Sequence, residues 1–152
     1  MTTAPKQSTV VVGVKAGGVS RAAIRLADRE ARYRDAELVA VMAYVSDRAL
    51  GAPGGRPLSV THTADDERLV AEESLRDALV DALGDDAVYV RPRVVSGLAG
   101  RQLIEAAREE DADLIVVASR AAVTMVPGTV AQYVLLRAPC PVLVVPTGVE
   151  VG

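Results

Sequence analysis

The sequence predicts an α/β fold: a doubly wound, five-stranded parallel sheet in the order 3-2-1-4-5, with helices on both faces. Three observations carry that prediction. Short, continuously apolar, Val-rich runs recur at Val10–Val14, Leu38–Val45, Leu114–Ala118 and Val142–Val145, as strands buried on both faces require. Amphipathic stretches separate them, and strand–helix alternation implies right-handed crossovers between parallel strands. Aromatic residues are only 3% of the 152, with no Trp or Phe. The core must therefore be built from Val, Leu, Ile and Ala.

The first strand is Val10-Val11-Val12-Gly13-Val14. Ser20 offers an N-cap to a helix whose inner face is Ala23, Leu26, Ala27 and Ala31. Leu38–Val45 is the second strand. The segment 46–64 holds Gly51-Ala52-Pro53-Gly54-Gly55-Arg56-Pro57 and is predicted as a mobile loop, because it is too rich in breakers for an element. A helix follows from about Asp65 to Leu83, with Leu75, Ala78, Leu79 and Ala82 inward and Gly84 as C-cap.

Val88, Val90 and Val94-Val95 predict the third strand, with Pro92 inside it. Proline cannot donate to a ladder, so this strand belongs at a sheet edge. Ser96-Gly97 turns into a helix with Leu103, Ile104 and Ala107 inward. Leu114–Ala118 is the fourth strand. A last helix from Thr129 to about Arg137 leads to the fifth strand, Val142–Val145. Residues 1–8 are expected to form a disordered tail ahead of one domain over 9–148.

Net charge is −3, with both signs interleaved and no basic patch among aromatics, so no nucleic-acid partner is expected. The polar N-terminus lacks the apolar stretch of a signal peptide, and the apolar runs are strand-length, so no membrane partner is expected either. A single cysteine, Cys140, excludes an internal disulfide and fits a cytoplasmic protein. Flanked by Pro139 and Pro141, it reads as a packing thiol. His62 is the only histidine, so neither a metal cluster nor a Ser-His-Asp set can be assembled around it. Asp65-Asp66-Glu67 and Glu109-Glu110-Asp111 read as solvated helix ends. The expectation is a non-enzymatic protein with no metal site.

Ligands of doubly wound sheets bind outside the carboxyl ends of the strands, where the strand order reverses. In this chain the crevice is expected between the loops after Val14 and after Ala118. The residues placed there are Val14, Lys15, Ser119, Arg120, Gly128, Thr129 and Val130. Gly128-Thr129 opens a helix, whose free amides and dipole favour an anion. The alternative is that Thr129 is an ordinary N-cap needing no ligand. Lys15 and Arg120 would help hold an anion, or are simply solvated cations. Ala16-Gly17-Gly18-Val19-Ser20 is a faint echo of an ATP-pyrophosphatase loop, but the leading Ser and the Asp of that loop are missing.

With these elements placed, the chain resembles a universal stress protein domain over nearly its whole length. The residues that carry the resemblance are Val11-Val12-Gly13-Val14, Ser20-Arg21-Ala22-Ala23 and Asp111-Ala112-Asp113 leading into Leu114–Arg120. Gly128-Thr129-Val130-Ala131-Gln132-Tyr133-Val134 with Ala138-Pro139-Cys140-Pro141-Val142-Leu143-Val144-Val145-Pro146 completes it. The resemblance implies that nucleotide-binding members have a strand-end Gly, two residues, a second Gly, about nine residues, then Gly-Ser or Gly-Thr at a helix N-terminus. They also carry an acidic residue after the first strand that contacts the nucleoside.

This chain departs from that pattern at three points. Ala118 and Ala121 stand at the two glycine positions, only the six residues Ala122–Pro127 separate Ala121 from Gly128, and Lys15 replaces the acid. The expectation is a stress-response or regulatory protein without a cofactor, its nucleotide motif degenerate. The alternative is an ATP or AMP sensor using the loop before the last helix. The fifth strand is a fully apolar sheet edge, which is a liability unless something pairs with it. A homodimer through Val142–Val145 is therefore expected, as the resemblance also implies.

Overall fold

The computed structural model describes residues 4–46, 63–120 and 129–151. Gly128, Ala121, His62 and the breaker-rich loop from Gly51 to Pro57 lie outside the described residues. The elements run β1 (Thr9–Gly13), α1 (Arg21–Tyr33), β2 (Glu37–Tyr44), α2 (Ala64–Leu83) and a 3-10 turn (Gly84–Tyr89). They continue β3 (Arg91–Ser96), α3 (Ala99–Glu109), β4 (Leu114–Ser119), α4 (Val130–Arg137) and β5 (Val142–Pro146).

All four strand pairings are parallel and the order is β3-β2-β1-β4-β5, as the sequence predicts. Alternate residues of the central strands enter two separate cores. Val10, Val12, Ala40 and Met42 pack with Ala23, Ile24, Leu75 and Leu79 of α1 and α2. Val11, Val39, Val41 and Val117 pack with Leu103, Ile104, Ala131 and Val134 of α3 and α4. Val10, Val11 and Val12 are wholly buried, which is why β1 reads as an unbroken apolar run.

α1 and α3 end alike. Asp35 and Asp111, each with φ 50, take the left-handed turn after the helix, and Ala36 N and Ala112 N donate back to Ala31 O and Ala107 O at 2.8 Å. These closed ends aim the chain straight into β2 and β4.

Two local expectations need correction. Val88 lies in the 3-10 turn rather than in β3 and is 79% exposed. The chain leaves α2 through Gly84 at φ 58 and winds tightly before extending, so the Val88/Val90 alternation imitates a strand. Ser20 does stand at the N-cap of α1, but its hydroxyl makes no cap bond. It accepts instead from Lys15 N at 2.9 Å, pinning the loop between β1 and α1.

The edges of the sheet differ in chemistry. β3 is an edge strand, as Pro92 requires, and it is lined with charge. Arg91 donates to Glu37 at 2.7 Å and also to Glu110, while Arg93 donates to Glu110 at 3.1 Å and also to Glu109. β5 carries Val142, Leu143 and Val144, all half-buried, on the opposite edge.

Candidate functional site

Val12 pairs with both Ala40 and Val116, so β1 lies between β2 and β4; it ends at Gly13, while β2 continues to Tyr44 and β4 to Ser119. Past those ends the chain turns off in opposite directions. β1 leads into α1 on one face, and β4 leads toward α4 on the other. The gap left by that divergence is a cavity of about 680 Å³, within the range of small-molecule pockets.

The floor is Gly13, Val14 and Ala118 from the strand ends. A β-carbon at Gly13 would stand 3.0 Å from Leu103 Cδ2, a tight contact that the Leu103 side chain would have to relieve by a small shift. One wall is the first half of α2, through Glu67, Val70, Ala71 and Ser74. The facing wall is Ala99 and Leu103 of α3. Met42 and Tyr44 of β2 lie between them. The lining is mostly apolar.

Of the residues expected in the crevice, Val14, Lys15, Ser119, Arg120, Thr129 and Val130 all line this cavity. Their states differ. Ser119 is buried, and its carbonyl accepts from Thr147 N at 2.8 Å. Thr129 takes extended backbone (φ −70, ψ 153), and its hydroxyl accepts from Gln132 N at 3.2 Å, so it caps α4. Lys15 and Arg120 are exposed, and no described residue bonds to or pairs with either side chain.

Ala118 is a regular strand residue, paired with Val145 inside β4. Nothing in its conformation calls for glycine.

The α2 wall is absent from the sequence reading. Asp66 behaves as a helix-end acid, closing a capping box with Thr63, but its neighbour Glu67 lines the cavity. Tyr44 could have been found from its place at the carboxyl end of β2. For Val70 and Ser74 there was no signal, because only the packing of α2 over β2 brings them in.

Two further groups lie away from the cavity. Cys140, half-buried, packs against the core beneath α3 and α4. Burial, then the charge of Asp113, pushes its thiol up from the ordinary value, so it is not activated as a nucleophile. A groove of about 330 Å³ between α3 and α4 is lined by Arg101, Arg108, Tyr133 and Arg137. No group of metal-ligating side chains is found among the described residues. No described helix is long and apolar enough to cross a membrane.

None of the curated proteins is similar enough to match this chain. Solved structures do match. A universal stress protein family member from Burkholderia pseudomallei is 28% identical, with 92% of this chain and 96% of that one covered and a TM-score of 0.64. A universal stress protein from Archaeoglobus fulgidus is 25% identical, over 90% and 92% of the chains, with a TM-score of 0.66. A universal stress protein solved in complex with cAMP is 25% identical, over 93% and 98%, with a TM-score of 0.62. Residues 7–146 match the Universal stress protein family itself, and the chain belongs to that family.

Proposed function

We propose that this chain is a non-enzymatic universal stress protein, a cytoplasmic homodimer with a stress-response or regulatory role. Its crevice does not hold ATP in the mode usual for nucleotide-binding members. The observation that carries this reading is Lys15 at the cavity rim. An ammonium is donor-only and cannot accept from ribose hydroxyls, as the acid of nucleotide-binding members would.

The homodimer is supported by the contrast between the two sheet edges. An apolar edge invites a second copy, whereas β3 is guarded by arginines and glutamates. On α4, which precedes β5, Leu136 is 75% exposed.

A second reading is an adenine-nucleotide sensor. The cavity volume favours it, as does the similarity to the universal stress protein bound to cAMP. Calorimetric titration with ATP and AMP separates the two. The first reading predicts no saturable heat, and one-to-one binding of either nucleotide replaces it with the second.

A further inference from the structure

We infer that the crevice takes an amphipathic monoanion, a medium-length acyl carboxylate, with its headgroup between Lys15 and Arg120 and its chain against the apolar walls. This rests on the reading that ATP does not occupy the crevice, and it names the class of ligand that fits instead.

Charge and hydrocarbon are separated within the cavity. Lys15 follows β1 and Arg120 follows β4, and these strands are neighbours in the sheet. Both cations therefore rise from adjacent strand ends at the rim, and no described side chain neutralises them. Glu67 is the one carboxylate of the lining. It stands on α2, which packs over β2 and β3 and against α1. Two cations against one carboxylate leave the described lining net positive, and a carboxylate seated by Lys15 and Arg120 would gain charge-assisted bonds.

The walls are mostly apolar, with Tyr44, Glu67 and Ser74 as polar side chains among them. The Ser20 hydroxyl is held by Lys15 N and the Thr129 hydroxyl by Gln132 N. Met42, Val70, Ala71 and Leu103 supply hydrocarbon surface. A base and sugar would lose water hydrogen bonds against those apolar stretches. A methylene chain loses none, and the flexible Met42 side chain can adapt to its path.

The test is calorimetry with sodium decanoate on nucleotide-free protein, run beside ATP, AMP and the neutral analogue decanol. The inference predicts saturable one-to-one decanoate binding. It should weaken about fivefold or more in Lys15→Gln and in Arg120→Gln, while decanol affinity stays unchanged in both. Val70→Asp, at a position 63% exposed in the native fold, should abolish binding of both ligands with little change in melting temperature. Absence of saturable decanoate binding, or equal affinity in wild type and both charge-removal variants, overturns the inference while leaving the reading above intact. One-to-one ATP binding overturns that reading, whatever decanoate does.

Discussion

The Tyr133 ring of α4 lies against the backbone of Gly100 in α3, with Cδ1 2.8 Å from where a β-carbon at position 100 would stand. Arg137 lies over the same ring, its guanidinium carbon 4.1 Å from the centroid. This close approach lets two short helices share one face of the sheet. It also fixes α4, whose first turn closes the crevice at Thr129 and Val130. Gly100→Ala is expected to destabilise by about 1–3 kcal/mol through overpacking, although alanine is the better helix former. Chemical denaturation measures this; an unchanged or raised midpoint would show that Tyr133 simply moves aside.

Ser20 ties the crevice loop to α1. Ser20→Ala leaves Lys15 N without its 2.9 Å partner and should cost about 1 kcal/mol. The distinguishing readout is hydrogen exchange, which should accelerate at Lys15 and leave the first turn of α1 unaffected, since the hydroxyl makes no cap bond there. Faster exchange confined to α1 would mean that Ser20 works as an ordinary cap.

The layout of the sheet was legible because the central strands are buried on both faces, which leaves an unbroken signature in Val10–Val14 and Leu114–Ala118. Pro92 named its own edge. Val88 was misread because its alternation with the buried Val90 looks the same in a strand as in a tight turn that runs into one. Within the site, the strand-end residues Val14, Lys15, Ser119 and Arg120 could be placed by topology alone. Val70 and Ser74 could not, because only the packing of α2 over the sheet brings them to the cavity. Whether the Ser20 hydroxyl would cap its helix or hold a loop was a choice between two nearby amides, and only geometry decides it.

The arginine–glutamate cluster along β3 predicts an acid limb to stability. Hydrogen bonds from Arg91 hold the Glu110 carboxyl below its ordinary range, with Arg93 adding to the effect. A carboxylate with a depressed folded-state pKa stabilises fully above its unfolded value of about 4.3 and loses that contribution as pH falls through the folded value. Melting temperature should therefore drop as pH is lowered below about 5. Glu110→Gln should be less stable at neutral pH and show a shallower acid limb. Parallel pH profiles for the two proteins would remove Glu110 from the account.

The apolar β5 edge predicts association. Val144→Lys places an ammonium on the strand proposed to pair between copies and should yield a monomer or insoluble protein. Multi-angle light scattering reads the mass directly. A dimer mass unchanged by Val144→Lys would exclude this edge as the interface.

The claim that the crevice is not an ATP site of the usual family kind is tested most directly by mass spectrometry of the freshly purified protein after denaturation. Lys15 at the rim predicts that no adenine nucleotide is released. Release of stoichiometric ATP or AMP would contradict the account.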